Sequence, residues 1–289
     1  VMQLSLLIAV LAVIAAGVGL FYQSPGSPVS FTTVRGETVQ IWGQGWYRYD
    51  TPIVALGFTG ADIITLFLAT PLLVLSTLLY RRGSLRGGLL LAGTLTYILY
   101  NYISLSFGAA YNNLFIVYVA LLGTSLFALI LALLSFDVPA LPAHFSPGLP
   151  RRGMGIFLIG TGVIIALIWL LLSVIPALLQ GKAPPEAYYY TTFITGVLDI
   201  GLVAPGLIVA GALLLRRAPG GYLLGGTAVV FSALIGPNLM AGGILQIVTG
   251  VISVGQAMAF TVPFAVLSLI AFGFAVALLR NLNGDITHA

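Results

Sequence analysis

Long apolar stretches broken by short polar ones run along the whole chain, and their length decides what they are. Stretches near 2–22, 53–80, 88–108, 114–136, 153–178, 189–215, 221–247 and 257–280 are each long enough to cross a membrane. A helix needs roughly 20 residues to span a ~30 Å hydrocarbon core. Transmembrane strands would instead show ~10-residue segments of alternating polarity, and the run from Leu66 to Leu79 does not alternate. The pattern predicts an all-α polytopic membrane protein of about eight helices, with no charge marking the boundary between the seventh and eighth. Residues 23–52 break the pattern. There Val29–Val34 and Glu37–Trp42 are rich in β-formers and flank Arg35-Gly36, which predicts a small hairpin in the first extracytoplasmic loop.

Composition agrees with a chain dissolved in lipid. Of its residues 60% are hydrophobic and 6% charged, and mean hydropathy is +1.12. A soluble fold of this size cannot hide so much apolar surface. The cations then give an orientation. Arg81, Arg82, Arg86, Arg151, Arg152, Arg216, Arg217 and Arg280 fall on one side of an eight-helix chain, and Arg35, Arg48 and Lys182 on the other. The positive-inside rule predicts a multi-pass protein of the cell membrane with both termini cytoplasmic. The pI near 9.4 is then a topological signal, and no nucleic-acid partner is expected. Ala15-Ala16-Gly17 offers a signal-peptide cleavage pattern. The stretch before it lacks a positive n-region and is long enough to span, so it is expected to stay as the first helix.

The second half of the chain echoes the first. Gly87-Gly88-Leu89-Leu90-Leu91-Ala92-Gly93-Thr94 matches Gly220-Gly221-Tyr222-Leu223-Leu224-Gly225-Gly226-Thr227 at six of eight positions. At nearly the same offset Arg81-Arg82 recurs as Arg216-Arg217, Pro71 as Pro205 and Asp62 as Asp199. The expectation is two parallel four-helix repeats, 1–136 and 153–280, related by an axis along the membrane normal. A linker at 137–152, rich in proline, joins them on the cytoplasmic side, and a tail covers 281–289.

Asp62 and Asp199 are the first candidates for chemistry. Each lies about ten residues inside its helix, hence roughly 14–15 Å deep at 1.5 Å per residue. A carboxylate there costs roughly 2.5–3.5 kcal/mol on insertion scales and is expected to face a polar interior. The pair is expected to share a cation, a proton or a polar ligand, or else to clasp neighbouring helices. Tyr97, Tyr100 and Asn101 lie near the same depth, with Tyr97 and Asn101 on one helical face. In the seventh helix, Gly236-Pro237-Asn238 predicts a kink or break, because proline removes a backbone donor. Asp62, Asp199, Tyr97, Tyr100, Asn101 and Asn238 together predict a polar vestibule open outward above an apolar plug. Just before the second helix, Trp42, Trp46, Tyr47, Arg48 and Asp50 read as an interfacial loop whose aromatics anchor at the headgroups.

Trp42-Gly43-Gln44-Gly45-Trp46, in a β-rich first loop, resembles in placement the Trp-Gly-Leu-Trp segment of claudin-like four-helix proteins. The likeness spans about thirty residues, with altered spacing and without the paired cysteines, so it implies nothing about function.

Several activities lack their residues. A retinal protein needs a lysine inside a helix, and Lys182, the only lysine, lies in a loop. A serine hydrolase needs a general base, yet His144 and His288 fall in a predicted loop and in the tail. The acidic residues are not clustered, and cysteine is absent. No cofactor or metal is therefore expected. The leading expectation is a membrane protein that binds or transports a small polar or amphipathic ligand, molecule or ion, between its halves. The rivals are an accessory subunit that packs Gly220, Gly221, Gly225 and Gly226 on a partner or a second copy, and a lipid-modifying enzyme using an intramembrane Asp.

Overall fold

The computed structural model describes residues 1–187 and 189–283, so His288 and most of the expected tail lie outside the described residues. Among the described residues eight helices are long and apolar enough to cross a membrane. They are α1 (Met2–Phe21), α2 (Pro52–Arg81), α3 (Leu85–Gly108), α4 (Phe115–Leu134), α5 (Arg151–Leu179), α6 (Ile194–Leu215), α7 (Pro219–Val248) and α8 (Val254–Arg280). Between α1 and α2 stands a two-stranded antiparallel sheet of β1 (Val29–Thr32) and β2 (Thr38–Ile41), with Val29 opposite Ile41 and Thr32 opposite Thr38. Gly36 closes its turn at φ +83°, a conformation that a residue without Cβ adopts freely.

Contacts between the connections define two ends. At one, Tyr190 OH of loop 180–193 donates to Asp50 Oδ1 at 2.7 Å, and Tyr189 OH donates to the Tyr49 carbonyl. At the other, the proline-rich connection 135–150 is tied to the end of α8, where Ser146 N–H donates to the Asn281 carbonyl at 2.8 Å, and Arg86 Nε of α3 donates to the Leu282 carbonyl at 2.8 Å. Arg151 reaches from α5 to the Leu214 and Leu215 carbonyls at 2.6 and 2.8 Å, closing the C-terminus of α6 with a positive charge.

Two apolar cores fill the bundle. One is built on α1 to α4, around Ile8, Leu73, Leu95 and Leu121, and takes in Phe231 and Leu234 of α7. The other is built on α5 to α8, around Leu158, Leu207 and Leu278, and takes in Leu85 and Leu89 of α3. α3 and α7 therefore belong to both. They cross where Gly93 leaves room for Val230, since a Cβ there would overlap that side chain. Of the glycines of α7 read as partner-facing, Gly221, Gly225 and Gly226 are spent in similar ways, whereas a Cβ on Gly220 would meet nothing within 4 Å. Gly221 closes on the backbone of Leu213 and Leu214, and Gly226 sits between Leu89 and Leu278. Large apolar side chains such as Ile116, Phe127, Leu172 and Leu269 point outward, as suits helices solvated by lipid.

Three spans contain a π-turn, and in each a proline follows two residues later. Thr65–Ala69 precedes Pro71, Leu170–Val174 precedes Pro176, and Asp199–Val203 precedes Pro205. The residue before each proline donates five positions back, from Thr70 to Thr65, Ile175 to Leu170 and Ala204 to Asp199. Proline has no N–H and its ring crowds the carbonyl four residues earlier; a widened turn relieves both constraints without ending the helix.

Pro237 is handled differently, and it does not break α7, which runs unbroken from Pro219 to Val248. The carbonyl it orphans, that of Ala233, accepts from Ser268 Oγ of α8 at 2.8 Å. Ser268 comes this close because position 236 is glycine, where any Cβ would overlap the serine. A neighbouring hydroxyl thus replaces the missing donor. Ser268→Ala should lower the detergent melting point by the loss of one interhelical bond, about 1 kcal/mol. In a Pro237→Ala background, where the helix supplies its own N–H, that penalty should shrink; an equal penalty in both backgrounds would show that the two residues are not coupled.

The turns after α2 and α6 share their geometry position for position. Gly83 and Arg217 take φ +79° and +59°. Ser84 N–H bonds the Leu79 carbonyl at 3.1 Å, and Ala218 N–H bonds the Leu213 carbonyl at 3.0 Å. Gly87 presses on the backbone of Leu79 and Tyr80, and Gly221 on that of Leu213 and Leu214. These turns pair Gly87 with Gly221, whereas the glycine-rich sequence match pairs it with Gly220. That match is one step out of register, because leucine and glycine coincide cheaply in such a composition.

Candidate functional site

A cavity of about 360 Å³ lies in the middle of the molecule, lined by α2, α3, α5, α6, α7 and α8 and by loop 180–193. Close packing on one side and its absence on the other account for it. α2 and α7 touch backbone to backbone, since a Cβ on Gly242 would lie 3.2 Å from the Cα of Gly57 and one on Gly60 would overlap Gly242 itself. α3 and α6 have no such seam. They meet at Gly108 against Ile194, near the hairpin-bearing end, and are bridged by the long side chain of Tyr100. The space left between them is the cavity.

Asp199 lines it as the first residue of the π-turn in α6. Tyr100 OH donates to its Oδ1 at 2.9 Å and Trp169 Nε1 to its Oδ2 at 2.7 Å. A carboxylate offers about four acceptor positions, so lone pairs remain beyond these two bonds. Both donors are braced by aromatic neighbours. Phe193 meets Trp169 edge-on with centroids 4.9 Å apart, and Phe231 meets Tyr100 at 5.7 Å. Asn101, Ser104, Asn238 and Glu186 also line the cavity, Glu186 accepting from Ser173 Oγ. Thr161, 5% exposed, also lines it, and its hydroxyl is buried with no hydrogen-bond partner among the described residues. No lysine, arginine or histidine is found among the described lining residues.

The structure divides the residues picked out in the sequence. Asp199, Tyr100, Asn101 and Asn238 come together at the cavity. Asp62 and Tyr97 do not line it. Asp62, 2% exposed, accepts from Tyr47 OH at 2.7 Å inside the bundle of α1 to α4, with Gly19 of α1 pressed against its carboxylate. Tyr97 is fully buried on the same side, and the Nδ2 of Asn101 reaches Thr65 Oγ1 at 2.9 Å. The two aspartates therefore share nothing. In the register that pairs Pro71 with Pro205 and one π-turn with the other, the counterpart of Asp199 is Thr65, and Asp62 lies nearly a turn earlier.

The loop before α2 also departs from a belt of headgroup anchors. Tyr47 and Asp50 are 2% and 1% exposed. Trp46 Nε1 donates to Tyr118 OH at 3.1 Å, and Arg48 lies over the ring of Tyr49 at 4.9 Å. Trp42 packs against the first core. Burial, followed by the charge of Asp62, pushes the Tyr47 hydroxyl well above the usual tyrosine range, so it stays a donor. Asp50 Oδ1 accepts both Tyr190 OH at 2.7 Å and the Ala110 N–H at 2.8 Å, joining three connections beside the cavity.

Trp169, Thr161 and Tyr190 are not singled out by the sequence pattern. Trp169 carries a usable signal, since an indole N–H inside a span has to find an acceptor. No protein-family model, curated protein sequence or solved structure matches the chain.

Proposed function

We propose that this chain is an integral protein of the cell membrane that binds a small amphipathic molecule in the central cavity. One observation carries the reading: a partly open space of about 360 Å³, mostly apolar but lined also by carboxylates, amides and hydroxyls. That combination of size and lining is what small-ligand sites have in common. The cation asymmetry supports cytoplasmic termini, with the hairpin and loop 180–193 outside, which makes the ligand's entry extracytoplasmic. Shared turns, prolines and π-turns at one spacing support descent of the halves from a duplicated four-helix unit.

The chain has no cysteine, so single cysteines can test this. In sealed right-side-out vesicles, Ser27→Cys and Asn113→Cys should react with an impermeant maleimide, and Ala143→Cys and Ala218→Cys only after permeabilisation. Ser104→Cys and Ser232→Cys, which line the cavity, should react with a small water-soluble thiosulfonate added outside. Labelling of Ala218→Cys from outside would reverse the orientation. Unreactive cysteines at both cavity positions would remove the cavity as a ligand site.

A further inference from the structure

Resting on that reading of the cavity, the lining also points to the charge of what enters. Asp199 is a carboxylate held by two neutral donors, Tyr100 OH and Trp169 Nε1, with no cationic side chain among the described residues around it. Glu186 adds a second acid to the same lining. An ionised carboxylate in lipid is tolerated when a positive charge offsets it, and the protein offers none at this place. What surrounds Asp199 is aromatic: Trp169 and Phe193 edge to face at 4.9 Å, and Tyr100 with Phe231 at 5.7 Å. Carboxylate and π faces together are the environment that ammonium groups prefer. The lining offers an anion nothing comparable, since it has no Lys or Arg fork among the described residues.

We propose that the cavity takes an organic ammonium ion, with its charge against Asp199 and its apolar body along Trp169, Phe193 and Phe231. Thr161 lines the cavity two helical turns from Trp169 toward the arginine-bearing end, about 12 Å along α5, so the apolar body has room to extend that way. The ammonium belongs either to a free organic cation or to a lipid headgroup. The absence of a cation for a phosphate among the described lining residues favours the free form.

The probe is radiolabelled benzyltrimethylammonium, measured by equilibrium dialysis on the full chain in detergent. Saturable binding is expected, weakened at least tenfold by Asp199→Asn. Neopentylbenzene, which has the same shape with carbon in place of charged nitrogen, should fail to compete, as should 3-phenylpropanoate. Equal competition by the neutral isostere or the anion, equal binding to Asp199→Asn, or no saturable binding at all would overturn the ammonium assignment. The cavity itself is judged separately by the reactivity of Ser104→Cys and Ser232→Cys. If Asp199→Asn does not fold, Ser232→Trp fills the cavity from α7 and should abolish binding; unchanged binding would place the cation elsewhere and overturn the assignment. Competition by dihexanoylphosphatidylcholine would assign the ammonium to a headgroup, and its failure to compete would assign it to a free cation; the site stands in both cases.

Discussion

Gly60→Ala is expected to prevent a stable fold, while Gly57→Ala, one turn away on the same helix, is expected to behave as wild type. A Cβ at position 60 would overlap backbone atoms of Ala241 and Gly242 on α7, and backbone cannot swing aside as a side chain can. A Cβ at position 57 meets nothing within 4 Å. Overpacking a dense interior costs about 1–3 kcal/mol when side chains can yield. Here the helices themselves must part, and the cost is expected at or above the top of that range. The seam between α2 and α7 relies on close approach of small residues, because lipid supplies no hydrophobic drive for helices to associate. Monodispersity and melting of the two variants in detergent check the contrast. A Gly60→Ala protein as stable as Gly57→Ala would mean that α2 and α7 do not meet as described.

The eight helices long and apolar enough to cross a membrane were legible because length and polarity alone decide whether a segment can span, and the hairpin was legible because β-formers flank Arg35-Gly36. Facing was not. Asp62 and Asp199 look like a matched pair along the chain, but each precedes its proline by a different distance and only Asp199 begins a π-turn. A π-turn rotates everything on one side of it relative to the other, and a proline alone does not say whether the turn before it widens, since Pro71, Pro176 and Pro205 follow π-turns and Pro237 does not. The break offered for Pro237 does not form, for a related reason. Its fate depends on Ser268, whose relation to it exists only once α7 and α8 are packed. Tyr47 and Asp50 read as interfacial because they sit next to a span, yet tertiary contacts with Asp62, Tyr190 and Ala110 draw them inside.

That last contact gives the second large effect. Burial pushes the Asp50 carboxyl up from 3.8 to about 6, against the lowering influence of its bonds from Ala110 and Tyr190. When the clasp opens, water restores the ordinary value. A group whose closed-state value is raised stabilises the closed state fully below the ordinary value, and that contribution is lost as pH rises through the raised one. Closure should therefore be strongest below about pH 4, weaken up to about pH 6 and then level off. A difference of about two units corresponds to roughly 3 kcal/mol. Tyr190 does not compensate at neutral pH, because burial and then the charge of Asp50 drive its hydroxyl still higher, so it remains a donor throughout. Asp50→Asn should flatten the profile. Both bonds fall on Oδ1, which asparagine keeps, so the variant should lock loop 180–193 at neutral pH about as firmly as acid locks the wild type. Hydrogen exchange of that loop between pH 4 and 8, corrected for intrinsic rates, reads the equilibrium directly. Since Tyr190 also lines the cavity, the same titration should slow entry of the thiosulfonate to Ser232→Cys at low pH, and a rate that follows only the reagent's own chemistry would separate the clasp from the way in.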